Sequence, residues 1–183
     1  FGTRGNFAEV DLERHLAMIQ VHVIATVTLS KAALPAMMER GGGAIINVSS
    51  IASFCPSGGG AMYTASKVFL NNFSEALAAE MDGTGVKVQA LCPGFTYSEF
   101  HDTPDYDDFD RKQIPDALWM SAADVVEESL AALDGDRVIV VPGRRYRGIV
   151  ATAHSPLRGA IRSAGRRIRK RWHPSRPSSE AQD

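Results

Sequence analysis

The chain has 183 residues, 44% hydrophobic and 22% charged, with a net charge of −1. That balance suits one globular domain with a real core. It excludes a disulfide framework and a zinc site, because Cys55 and Cys92 are the only thiols, far apart and without CxxC spacing, and they read as reduced cysteines in a cytosolic protein. No secretory leader and no apolar run of bilayer-spanning length is read in the sequence.

In chain order, Leu12, Leu16, Ile19, Val23 and Val27 recur at spacings of three and four. This predicts a long helix from about Asp11 to Arg40. Gly41-Gly42-Gly43 stops it, and Pro35 is expected to bend or divide its last turns. Ala44 to Val48 reads as a short buried parallel strand. Ser49 to Gly60 is a small-residue loop at that strand's C-terminal end, where open α/β sheets place ligands. Ala61 to Met81 is a second helix burying Leu70, Phe73, Leu77 and Met81, and Val86 to Leu91 a second strand, ended by Pro93-Gly94. Phe95 to Met120 shows no period and reads as a loop with at most a short helix. Ala122 to Leu133 is a further helix and Arg137 to Val141 a last strand. Helix alternating with strand predicts an α/β fold, a doubly wound parallel sheet.

The chemistry concentrates at Tyr63-Thr64-Ala65-Ser66-Lys67. On a helix, positions i and i+4 share a face, so a phenol and an ammonium point the same way. A phenol titrates near ~10 when unperturbed, and a nearby cation is expected to lower that value. The pair suits general acid/base work on an alcohol or ketone. Ser50, thirteen residues upstream of Tyr63, offers a hydroxyl for the reacting oxygen, with Ser49 competing for that role. "GAIINVSS" before the pair and "VKVQALCPG" after it stand in the order and at the distances of the classical short-chain dehydrogenases/reductases, which this chain resembles from about Phe1 to Gly143.

The resemblance implies a Rossmann-like fold and hydride transfer between NAD or NADP and a carbonyl/alcohol substrate. Tyr63 would be the acid/base, Ser50 would hold the oxygen, and Lys67 would also bond the nicotinamide ribose. Where the family carries an asparagine feeding a proton-relay water, this chain has His22. Pro93-Gly94-Phe95-Thr96-Tyr97-Ser98 resembles the family's PGxxxT cofactor segment, implying contacts from Pro93, Gly94, Thr96 and Ser98. The family's Gly-rich phosphate loop, TGxxxGxG, has no counterpart here, and "FGTRGNFAEVDLE" reads like the stretch that follows the family's fourth strand. The N-terminal half of the fold is therefore expected to be missing from this chain. Family members commonly form dimers or tetramers through their two long helices, which implies a homo-oligomer.

The loop "HDTPDYDDFD" lacks the glycine and terminal glutamate of a calcium loop and reads as a substrate lid, with no metal. Tyr97, Phe100, Tyr106, Phe109 and Trp119 suggest an apolar substrate. From Gly143 onward ten Arg and one Lys are set against Glu180 and Asp183, a net +9 that offsets −10 in the rest of the chain. Residues 144–172 read as a basic helical extension with a helix starting at Ser155-Pro156, and 173–183 as a disordered tail. The extension is read as a solvated end or as a peripheral membrane contact, and not as a nucleic-acid binder. Two rival readings remain: a non-catalytic interaction protein lacking the phosphate loop, and a membrane-associated lipid-type ketoreductase.

Overall fold

The structure is a computed structural model that describes residues 2–56, 58–103, 106 and 109–153. Its elements are α1 (Leu12–Ile19), a π-helical turn (Gln20–Ile24), α2 (Ala25–Glu39), β1 (Gly43–Val48), α3 (Ala61–Glu80), β2 (Val86–Leu91), β3 (Thr96–Tyr97), β4 (Met120–Ser121), α4 (Ala122–Ala132), β5 (Ile139–Val140) and α5 (Arg144–Ala153). β1, β2 and β5 form a parallel sheet in that order, and β3 pairs with β4 in a separate parallel ribbon.

The two-residue period of β2 explains why helices cover both faces. Val86 and Val88 point to one side and pack with Leu77 of α3 and Met81 just after it, joined by Leu34 and Met37 of α2. Leu91 points to the other side and packs with Val125 of α4 and Val140 of β5. On that second face Gln89 is buried and makes reciprocal hydrogen bonds with Ser129 of α4, its amide donating to the Ser129 carbonyl at 3.0 Å and its carbonyl accepting from the Ser129 hydroxyl. A buried amide satisfied on both sides fixes the register of α4 on the sheet. In the β1 register, Ile45 joins the α2/α3 side and Ile46 the α4 side. This is the doubly wound α/β arrangement expected.

The chain enters β2 through Gly85, at φ +77°, where an added Cβ would stand 2.2 Å from the Gly41 carbonyl oxygen. Only glycine fits there, and this close approach brings the starts of β1 and β2 side by side.

Three expectations need correction. α2 runs through Pro35 to Glu39 without division, because Pro35 lies on the exposed side, where water can meet the Lys31 carbonyl that the proline leaves unpaired. The apolar spacing locates the first helix and not its buried side: Leu12, Leu16 and Val27 are 65%, 53% and 39% exposed, whereas His15, Met18, His22 and Ser30 are buried. Finally, the helical stretch Leu12–Glu39 is long and apolar enough, by length and composition alone, to cross a bilayer, where no such run was expected. The helix looks apolar all round because its solvent side carries the aliphatic residues.

The Phe95–Met120 loop is more ordered than its lack of period suggests. It holds β3, β4 and 3₁₀ turns at Glu99–Asp102, Arg111–Gln113 and Asp116–Leu118. After Gly143 the chain turns into α5, with Tyr146 and Ala153 buried, so the basic segment begins as part of the packed domain. The helix expected from Ser155, and the tail beyond it, lie outside the described residues.

Candidate active site

Ser50 follows the C-terminal end of β1 and caps the 3₁₀ turn Ile51–Ser53, its Oγ accepting the Ala52 N–H at 3.1 Å. The same loop is stitched to the next strand: Ser49 N–H donates to Leu91 O and Ile51 N–H to Pro93 O at 3.0 Å. The loop holds the Ser50 hydroxyl beside the Tyr63 phenol, close enough to favour its ionised form. Ser49 turns the other way. It is buried, and its hydroxyl donates to the Lys67 carbonyl at 2.9 Å, tying β1 to α3. Geometry therefore brings Ser50, and not Ser49, to the tyrosine.

Lys67 lies one turn after Tyr63 on α3. Its side chain is buried, and Nζ donates to the Val48 carbonyl at 2.9 Å and stands 5.5 Å from the centre of the Tyr63 ring. Burial lowers the Lys67 pKa from 10.5 to about 8, with the neighbouring Cys92 acting weakly the other way. Cys92 itself is pushed up to about 11 by burial. The Tyr63 phenol is raised by burial, and the Ser50 hydrogen bond only partly offsets this. This reverses the lowering expected from the neighbouring ammonium. Removing both groups from water penalises their charged forms more than a cation standing off over the ring favours the phenolate.

His22 sits inside the π-helical turn and is buried. A π turn carries one extra residue and re-aims the side chains it contains. Here it brings the imidazole beside Tyr63, with ring centroids 6.0 Å apart in a T-shaped contact. His22 Nδ1 is 2.8 Å from the Ser66 Oγ, and that hydroxyl donates to the Tyr63 carbonyl at 2.7 Å. A serine hydroxyl has one proton. Because it goes to Tyr63, the His22 Nδ1 supplies the proton of the bond they share. His22 and Lys67 both line a cavity of about 420 Å³ between α2 and β1, together with Asn47 and Leu70.

The Pro93–Ser98 segment leaves β2 over this site. Thr96 donates its hydroxyl to Gly94 O at 3.1 Å, and the Ser98 Oγ accepts from Phe100 N at the start of a 3₁₀ turn. Ser98 is exposed and used locally. Phe100 leans on Tyr63 at 6.1 Å, and a Cβ on Gly2 would meet both rings, so the loop closes over the phenol. Phe95, Phe109 and Trp119 surround His101 at ring distances of 6.0, 4.7 and 5.3 Å.

Sequence reasoning missed Asn71, His101 and Tyr146. Asn71 was findable, since it continues the Tyr63–Lys67 face at i+8. Its amide donates to Ser53 and its carbonyl accepts from the Cys92 thiol. His101 and Tyr146 gave no local signal.

The family model for short chain dehydrogenases matches residues 2–107, more than half of the chain, and the chain belongs to that family. An uncharacterized oxidoreductase of Myxococcus xanthus is 38% identical over 105 residues, 57% of this chain and 42% of that protein. A relative from Danio rerio, 42% identical over 88 residues covering 48% of this chain and 28% of its own, bears the name inactive hydroxysteroid dehydrogenase-like protein 1. Family membership alone thus does not decide activity. Among solved structures, a short chain dehydrogenase from Burkholderia cenocepacia in complex with NADP superposes with TM-score 0.73 at 26% identity, covering 90% of this chain and 65% of its own. The chain spans less than half the length of these curated relatives.

Proposed function

We propose that this chain carries the acid/base and nicotinamide-side residues of an NAD(P)-dependent oxidoreductase acting on a carbonyl/alcohol pair. The observation that carries this reading is the Ser50–Tyr63 hydroxyl pair, with the buried Lys67 one turn away. The residues present fit one end of a dinucleotide. Lys67 and Tyr63 would hold the nicotinamide ribose, and the backbone from Pro93 to Thr96, with Ser98 in support, its carboxamide. No Gly-rich phosphate loop occurs in the 183 residues, so the phosphates need residues beyond them.

A bound dinucleotide supplies or takes the hydride. The chain's own residues do the rest. Ser50 donates a hydrogen bond to the substrate oxygen and stabilises the charge that develops there. Tyr63 gives that oxygen its proton on reduction and removes it on oxidation. Its raised pKa keeps the phenol protonated at neutral pH, so it holds the proton that reduction consumes. Lys67 restores the proton balance of the tyrosine, and His22 orients α3 through Ser66. The aromatic side chains from Phe95 to Trp119 favour a small, apolar substrate. The exposed Leu12, Leu16 and Val68 of α1 and α3 suit pairing with a second copy.

The test is reduction of a panel of apolar ketones by the whole protein, with NADH and NADPH supplied separately. Turnover that disappears in Tyr63→Phe is expected. Turnover that survives it removes Tyr63 from the mechanism. Saturable dinucleotide binding without turnover on any carbonyl would favour the non-catalytic reading, to which the inactive relative gives some weight.

A further inference from the structure

The segment Arg144-Arg145-Tyr146-Arg147 places one buried tyrosine among three exposed arginines. Tyr146 is 2% exposed, the most buried aromatic residue of the described chain. Its ring fills the space beside Gly94: a Cβ built on Gly94 would lie 1.9 Å from Cζ and 2.2 Å from Cε2. Gly94 and Tyr146 are thus complementary, and neither position tolerates the other's enlargement.

The hydroxyl adds direction to this fit. Tyr146 Oη accepts the Phe95 N–H at 2.8 Å and donates its single proton to the Leu118 carbonyl. Phe95 O in turn accepts from Met120 N at 3.0 Å, at the start of the β3–β4 ribbon. Both backbone polar groups of Phe95 are therefore held, one by α5 and one by β4. Burial raises the Tyr146 pKa, so the hydroxyl stays a donor through the neutral range.

The helix that carries Tyr146 is itself anchored. Gly143 N–H donates to the Glu128 carboxylate at 3.1 Å, Arg147 pairs with Glu128 at 2.8 Å, and Arg145 donates to the Ala117 carbonyl at 2.5 Å. These bonds tie the start of α5 to α4 and to the turn before β4, on either side of the tyrosine.

We propose that Tyr146 is the positioning residue that sets the backbone of the Pro93–Thr96 segment for dinucleotide binding. The ligand is that of the proposed function, on which this part rests; the positioning rests on geometry alone. The Tyr146 hydroxyl spends its bonds on Phe95 and Leu118, so it acts through the loop and not on the reacting atoms.

The experiment uses Tyr146→Phe in the whole protein, which keeps the ring beside Gly94 and removes both hydrogen bonds of the hydroxyl. Amide exchange of Phe95, measured without dinucleotide, is expected to be at least about tenfold faster than in the wild type, with exchange in β2 unchanged. NADPH or NADH binding is expected to weaken by roughly tenfold, with kcat at saturating dinucleotide within about threefold of the wild type. Gly94→Ala is expected to abolish binding, and Gly94→Ala with Tyr146→Ala to recover part of it, which a purely destabilising role for each would not produce. Unchanged Phe95 exchange overturns the proposal whatever the protein binds. So does a kcat that falls as far as the affinity. Faster exchange in a protein whose wild type binds no dinucleotide overturns the functional reading instead, and leaves the loop positioning standing.

Discussion

Tyr63 is half-buried and Tyr146 buried, both phenols are raised by desolvation, and their surroundings separate the proposed reactive region of this molecule from a supporting one. The Tyr63 hydroxyl meets another side-chain hydroxyl, Ser50, which can rotate and exchange its partner for a substrate oxygen. The Tyr146 hydroxyl meets two backbone groups, Phe95 N–H and Leu118 O, which cannot. One region keeps movable protons near a cavity. The other uses its proton to hold a loop still. A tyrosine's chemistry is therefore set by what its hydroxyl bonds, more than by how deeply the ring is buried.

The contrast predicts opposite kinetic signatures. Tyr63→Phe should lower kcat by roughly 10²–10⁴-fold, the usual loss of a general acid/base, with dinucleotide affinity little changed. Single-turnover rates with saturating dinucleotide measure this, and a loss appearing in affinity alone would erase the distinction between the two regions. Tyr146→Phe should do the reverse, weakening affinity while sparing kcat.

Lys67 sharpens the comparison through stability. Its folded pKa, about 8, lies below the ordinary 10.5, so between these values the unfolded chain binds more protons than the native one. Stability contributed by this group rises with pH across that window. Cys92, raised from 9.0 to about 11, has the opposite sign above pH 9. The slope from Lys67 is therefore seen most cleanly between about pH 8 and 9. Lys67→Met should lose turnover and flatten that slope. At pH 7 it should gain on the order of 1–2 kcal/mol, because the burial cost of the ammonium disappears while the Val48 hydrogen bond is also lost. Denaturant titrations of both proteins at pH 7, 8 and 9 check this. A less stable variant with the slope intact would mean the lysine is not charged at a cost.

The smallest effect is expected at His22. His22→Asn keeps a side chain able to bond Ser66 in the π turn and should retain turnover within about threefold, since in the proposed mechanism the imidazole orients and Tyr63 transfers the substrate's proton. Loss of turnover by a folded variant would move His22 into the reactive region.

Some of this was readable along the chain. The Tyr63–Lys67 face follows from helical spacing, and Asn71 continues it. β1, α3 and β2 are bounded by glycines and by Pro93, so local chemistry located them to within a residue or two. The Phe95–Met120 ribbon was not readable, because β3 and β4 are two residues each and exist only through their partner. Tyr146 was hidden in an arginine-rich stretch that looks solvated by composition.

The sequence by itself determined the order of the main helices and strands up to β2, the parallel doubly wound class and which candidate acid/base side chains share a helix face, because these rest on period, turn chemistry and side-chain identity. Tertiary structure alone decided three things. It selected Ser50 over Ser49, because only the loop stitched to Leu91 and Pro93 aims one of them at the phenol. It reversed the expected shift of Tyr63, because desolvation depends on what covers a group and not on what precedes it. It joined Gly94 to Tyr146, because complementarity between a missing Cβ and a ring exists only once distant segments meet.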